Sequence, residues 1–209
     1  MKDPAKSAAQ YFADALTVRV IPATLGERKV AGDTASVLTS IKSATVTDIV
    51  ERMITTSNNT MAEFLAHHIG GANGQYTYES GAKATTEALT AAQIDLTGVT
   101  ILDGSGLSRS NQASAKSLVS ALSYASKTDG PAWTNLSGLP VAGISGTLVD
   151  RYDVGEPGRG TVRAKTGTLS KVVALSGTLV NASGDVLIFT FIANEVPSGT
   201  KQGEAALDE

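Results

Sequence analysis

The sequence predicts an α/β protein (α+β in the stricter sense) with an antiparallel sheet sandwiched between helices. Two observations in the last third carry that prediction. Val172–Val180 and Val186–Ala193 are near-continuous apolar runs, and Asn181–Asp185 joins them with the residues of a hairpin loop. Strands apolar on both sides need cover on both faces. The third observation is a series of helical-period segments upstream that can supply the cover.

Residues 4–16 are Ala-rich, with Phe12 and Leu16 on helical spacing behind a first-turn proline, Pro4. Short strand-like runs are expected at Thr17–Ile21 and Val37–Ile41. A helix opens at Thr45, with Asp48 three residues on in the manner of a capping box, and Ile49, Val50, Met53 and Ile54 follow the helical period. It stops at Thr55-Thr56-Ser57-Asn58-Asn59. A second helix follows at once, with Thr60 and Glu63 as a further capping pair and Met61, Phe64, Leu65 and His68 along one face. Gly70-Gly71 ends it. Residues 78–94 read as a helix, Val99–Leu102 as a short strand, Asp103–Asn111 as a Gly/Ser-rich loop and Ser114–Ser126 as a helix. Pro131, Trp133 and Gly138 mark irregular chain. Thr161–Ala164 is strand-like and runs into Lys165-Thr166-Gly167.

Composition sets the outer limits. The 209 residues are enough for one large domain, and 42% apolar residues with only 5% aromatics imply a core of Ala, Val, Leu and Ile. A net charge of −3 and a pI near 5.4 argue against a nucleic-acid partner, which calls for a basic patch. No phosphate-loop or dinucleotide fingerprint occurs, so no cofactor is expected. With no cysteine, thiol catalysis, disulfides and thiolate metal sites are excluded. The two histidines, His67 and His68, are adjacent and point about 100° apart on a helix, so no metal site is expected there. No segment approaches the ~18 apolar residues of a membrane span, and no signal peptide is recognisable. Taken alone, such a chain reads as cytosolic.

Three polar clusters stand out: Ser57-Asn58-Asn59 between two helices, Asp103-Gly104-Ser105-Gly106-Leu107-Ser108 in a loop, and Lys165-Thr166-Gly167-Thr168 at the end of a strand. Singly, each has a plain structural reading as a helix cap, a loop or a turn. Their order and spacing are more specific. Ser-x-Asn followed more than a hundred residues later by Lys-Thr-Gly is the layout of penicillin-recognising serine enzymes, whose set also includes Ser-x-x-Lys.

The longer blocks Ser57–Glu63, Asp103–Arg109, Leu139–Leu148 and Lys165–Leu169 occur in sequence. Together they resemble the D-alanyl-D-alanine carboxypeptidase/endopeptidase family, the class C low-molecular-mass penicillin-binding proteins, from about Asp3 to the C-terminus. The resemblance implies the penicillin-binding transpeptidase or β-lactamase-like fold, in incomplete form. It also implies that residues 1–209 are the C-terminal portion of a single penicillin-binding domain. The family's Ser-x-x-Lys nucleophile motif belongs before Ser57, yet none of the 56 residues there reads so, Thr39-Ser40-Ile41-Lys42 coming nearest. Ser80-Gly81-Ala82-Lys83 and Ser198-Gly199-Thr200-Lys201 lie on the wrong side of Ser57 and are read as coincidence. The family's terminal helix is expected to lie past Glu209.

By the same resemblance, Ser57 relays a proton to the leaving amine, Asn59 holds the acyl side of the substrate, and Lys165 keeps the site electropositive. Thr166 and Thr168 bind the terminal carboxylate, Gly167 lets the strand approach, and the Thr168 backbone N–H is half of an oxyanion hole. The implied partner is a peptidoglycan stem peptide ending in D-Ala-D-Ala, with β-lactams bound only if the nucleophile is supplied, and the implied location is periplasmic or extracellular. The chain alone is expected to be inactive, its serine and lysine coming from a missing N-terminal half. The alternative is a non-catalytic peptidoglycan- or partner-binding module. A β-lactamase relative is a third reading, against which the Asp103–Ser108 block argues. A piece of such a fold is expected to expose apolar strand surface and an unpaired edge.

Overall fold

The computed structural model describes residues 3–37, 39–72, 74–127, 134–197 and 200–208. The chain divides into two compact units, Met1–Ser43 and Ala44–Glu209.

In the first unit, α1 (Pro4–Val18) forms where the Ala-rich segment predicts a helix. Asp3 caps it by accepting the Lys6 backbone N–H at 3.0 Å. The two strands expected here do not form. Thr17 and Val18 complete α1, and the described residues after it pair with no strand. Val20, Val37 and Ile41 are each at least 85% exposed. β-propensity expresses fit to a pleated, half-buried surface, and these side chains have none to fit. Leu38 lies outside the described residues.

The second unit holds the rest. α2 (Val46–Thr56) carries the predicted capping box, the Thr45 hydroxyl accepting from the Asp48 N–H while the Asp48 carboxylate accepts from the Thr45 N–H. α3 (Asn59–Gly71) starts two residues earlier than a Thr60 cap implies. Its cap is Asn58, whose side-chain oxygen accepts the Met61 N–H at 3.0 Å, not the Thr60/Glu63 pair. Asn58 precedes Thr60 and satisfies the free N–H first. α4 (Tyr78–Ala91) packs along α3. The close approach is made at glycines, since a Cβ on Gly81 would lie 2.7 Å from the Ala66 carbonyl oxygen. The expected strand Val99–Leu102 is reduced to one bridge, Thr100 with Gln112, before the chain enters its loop. α5 (Ala115–Lys127) follows, then the short α6 (Thr134–Ser137); Pro131 and Trp133 lie outside the described residues.

The sheet has the order β1 (Val162–Leu169), β2 (Val172–Val180), β3 (Val186–Asn194), all antiparallel. Thr166 faces Leu175 and Lys165 faces Ser176 across β1 and β2. α7 (Thr200–Asp208) packs on β2, and α5 packs on β3 and β2. A helix, not marked by the sequence, thus follows β3. Its Gly203 leaves no side chain between helix and sheet: a Cβ there would meet Val173 Cγ2 at 2.8 Å.

Side chains alternate between the two faces of a strand. Val162 and Ala164 of β1 and Leu175 of β2 lie on the face that α7 covers, with Ala142, Leu148, Tyr152 and Leu207. A second cluster, Ile54, Ala125, Leu136 and Leu139, holds α2 to α5 and α6. The strands differ in cover. β1 and β2 each bury residues completely, whereas Val186, Leu187 and Phe191 of β3 are exposed.

Candidate active site

Ser57 closes α2 in the left-handed region, φ 51° and ψ 49°, a conformation disfavoured by about 1–2 kcal/mol for a residue with a Cβ. The turn aims its hydroxyl across the unit at β1. There Lys165 Nζ donates to Ser57 Oγ at 2.7 Å and to the Thr166 carbonyl at 2.6 Å, joining residues 108 positions apart. Burial pushes the Lys165 ammonium below the ordinary lysine value.

The bond crosses the floor of a cleft of about 420 Å³. Ser57, Asn58 and Asn59 line one side and Lys165, Thr166, Gly167 and Thr168 another. Gly104, Ser105, Gly106 and Leu107 form part of its wall. All six residues singled out in the sequence, Ser57, Asn59, Lys165, Thr166, Gly167 and Thr168, therefore border one space. Asn59 is exposed at the start of α3, and its amide has no hydrogen-bond partner among the described residues, leaving it free for a ligand. The Thr166 hydroxyl donates to Thr147 Oγ1 at 2.9 Å, and the Thr168 hydroxyl to Glu204 Oε1 at 2.8 Å.

Two carboxylates hold the loop wall. Glu63 lies one helical turn beyond Asn59 on α3. It accepts the N–H groups of Gly104 and Ser105, each at 3.0 Å, and the Ser105 hydroxyl at 2.5 Å. Asp103 accepts from the N–H groups of Gly106 and Ser108 and from the Asn111 amide. Gly104 sits so close to α3 that a Cβ would meet the Ala62 carbonyl oxygen at 2.7 Å. Arg109 reaches from the loop to the Ser170 carbonyl, 3.0 Å away in the β1–β2 turn. Sequence reasoning missed the roles of Glu63, Thr147 and Glu204. Glu63 and Thr147 lie within quoted blocks, whereas nothing marked Glu204.

Other candidates lie elsewhere. Ser80 caps its own helix, its Oγ accepting the Thr77 N–H and donating to the Gln75 carbonyl, while Lys83 pairs with Glu87 in solvent. Neither lines the cleft. Ser198 and Gly199 of the second Ser-x-x-Lys string lie outside the described residues. Of the histidines, His67 rather than His68 turns inward, its ring edge-on to Tyr78, while His68 is exposed against Phe64. Among the described residues no cluster of His, Asp and Glu could hold a metal ion, and no helix is long and apolar enough to cross a membrane.

The sequence signature of the D-Ala-D-Ala carboxypeptidase 3 (S13) family matches residues 1–209. The chain belongs to that family. Carboxypeptidase DacB of Mycolicibacterium smegmatis is 35% identical over 204 residues, covering 95% of this chain and 44% of its own length. A D-alanyl-D-alanine carboxypeptidase of Actinomadura sp. is 36% identical, covering 92% of this chain and 37% of its own. The structure of penicillin-binding protein 4 from Haemophilus influenzae, solved with a β-lactam, superposes with a TM-score of 0.68 at 29% identity, over 73% of this chain and 36% of that one. The chain thus has the fold of the penicillin-binding proteins and spans less than half the length of these relatives.

Proposed function

We propose that the protein to which these residues belong is a serine D-Ala-D-Ala carboxypeptidase or endopeptidase. It would act through an acyl-enzyme on peptidoglycan stem peptides outside the cytoplasm, and be acylated by β-lactams. Residues 1–209 are read as the C-terminal portion of a single penicillin-binding domain, with the Ser-x-x-Lys segment supplied from outside them. The observation that carries this reading is the Lys165–Ser57 hydrogen bond, which places two motifs distant in sequence on one cleft floor.

The chemistry then divides as follows. A supplied serine attacks the carbonyl of the terminal peptide bond while a supplied lysine takes its proton. A covalent acyl-enzyme replaces one hard step with two easier ones. The Ser57 hydroxyl, which both donates and accepts, passes the proton to the leaving D-Ala nitrogen. Lys165 charge at this position disfavours a second charge nearby and so helps keep the supplied lysine neutral and basic. Asn59 binds the acyl side through its free amide. Thr166 and Thr168 donate to the terminal carboxylate, and the Thr168 N–H is one of two oxyanion donors, each worth about 10²–10³ in rate.

The longer protein is expected to release D-Ala from a peptide ending in D-Ala-D-Ala, measured by a D-amino-acid oxidase assay. Binding of that peptide without release of D-Ala would favour the second reading, a non-catalytic module that keeps the substrate wall. That reading draws on the binding groups Asn59, Thr166 and Thr168, which line the cleft and need no nucleophile to hold a peptide.

A further inference from the structure

Thr168 has one hydroxyl proton, and the structure already commits it. The hydroxyl donates to Glu204 Oε1 at 2.8 Å, on the face of β1 that α7 covers. A hydroxyl is one donor and two acceptors, whereas an ionised carboxylate only accepts. While its proton is on Glu204, Thr168, which lines the cleft, has only lone pairs to offer a ligand, and it must give up Glu204 to donate. A ligand carboxylate arriving there meets an acceptor where it needs a donor, with a second carboxylate behind it.

The neighbouring pair is different. Thr166 donates to Thr147 at 2.9 Å, but both partners are hydroxyls. Thr147 can turn and donate to Thr166, which frees the Thr166 proton for a ligand. Glu204 has no proton to return.

The placement of Glu204 is well supported. Arg151 Nε donates to Asp208 Oδ2 at 2.8 Å, and its Nη2 donates to Asp208 Oδ1 and, at 3.2 Å, to the Glu204 carbonyl. Both side chains of the Arg151–Asp208 pair are under 20% exposed. Gly203 seats the helix directly on Val173.

We propose that Glu204 is an internal competitor for the Thr168 proton, a positioning residue that sets how strongly the cleft takes a peptide ending in a free carboxylate. This rests on the reading of Thr166 and Thr168 as the carboxylate site. Replacing Glu204 with glutamine removes the charge, and the amide N–H can donate to Thr168 Oγ1, releasing the hydroxyl proton toward the cleft.

The test is equilibrium binding to the full-length protein of a ketomethylene isostere of N-acetyl-D-Ala-D-Ala, which cannot be hydrolysed, and of its C-terminal amide. Glu204→Gln is expected to tighten the acid by about three- to tenfold, the scale of gaining one side-chain hydrogen-bond donor. The amide should bind equally to both proteins. In a Thr168→Val background most of the gain should vanish, because Glu204→Gln then removes only the field of Glu204 and has no shared proton to release. An unchanged affinity for the acid, including no measurable binding to either protein, would overturn the inference, as would an equal shift for acid and amide. Acylation by benzylpenicillin is read separately. A protein that shows the predicted binding but is never acylated would refute the acyl-transfer reading and leave Glu204 as the selectivity residue.

Discussion

The two walls of the cleft are built on opposite plans. On the α3 side, the carboxylates of Glu63 and Asp103 are used up by backbone N–H groups and a neighbouring hydroxyl and amide. On the β1 side, the polar groups meet side chain to side chain: Lys165 with Ser57, Thr166 with Thr147, Thr168 with Glu204. The first plan fixes a shape, because backbone donors bonded to a carboxylate cannot turn away. The second leaves protons that can be reassigned when a ligand arrives. Arg109 ties the loop to the turn beyond β1 and holds the two walls in register. The difference teaches that stability and activity should be separable by wall.

The largest effect is expected from Lys165→Met in the full-length protein. It should lower kcat/KM by about 10²–10³, on the scale of losing an electrostatic stabiliser of the reacting site. Its thermal midpoint should not fall, since the substitution removes a partly buried ammonium and replaces it with an apolar chain of similar length. The pH dependence follows by linkage. Burial lowers the Lys165 value in the folded state below the 10.5 of an exposed lysine, so in that window the unfolded chain holds more protons. Stability therefore rises with pH between the lowered value and 10.5. Urea titrations across that range should show the rise in the wild type and a weaker one in Lys165→Met. A variant that lost stability along with activity would contradict the division of labour.

A smaller effect of the opposite kind is expected on the other wall. Glu63→Ala leaves the Gly104 and Ser105 N–H groups without their acceptor. Unfolding by urea should show a loss of about 1 kcal/mol, the cost of stranding the part-buried Ser105 donors, while water can take the exposed Gly104 N–H. Glu63→Gln, which keeps one carbonyl oxygen, should recover part of it. In the full-length protein KM should rise more than kcat falls, because the loop shapes the cleft without touching the bond that breaks. An equal fall in kcat would move Glu63 into the reacting machinery.

Much of the architecture was legible where local chemistry and period agree. The Thr45/Asp48 box marked α2, the glycine pair ended α3, and the hairpin residues Asn181–Asp185 joined β2 to β3. The strand readings at Thr17–Ile21 and Val37–Ile41 failed because β-branched residues signal a surface to pack on, and Val20 and Ile41 are more than 85% exposed. The Thr60/Glu63 pair misled because Asn58 caps α3 and Glu63 is turned to the loop. α7 was invisible for a different reason: its segment is polar and contains Gly203, whose fitness appears only against Val173. The candidate site was legible through three short polar motifs. The partners Thr147 and Glu204 were not, because each acts on β1 from an element that only the fold brings near. The exposed Val186, Leu187 and Phe191 of β3 agree with the expectation of uncovered strand surface.

The central claim is that residues 1–209 supply the binding wall of an acyl-transfer site and not its nucleophile. Intact-mass spectrometry of these residues after incubation with benzylpenicillin tests it most directly. The account predicts an unchanged mass. A single stable penicilloyl adduct, mapped to Ser80 or Ser198, would contradict it and place a nucleophile within this chain.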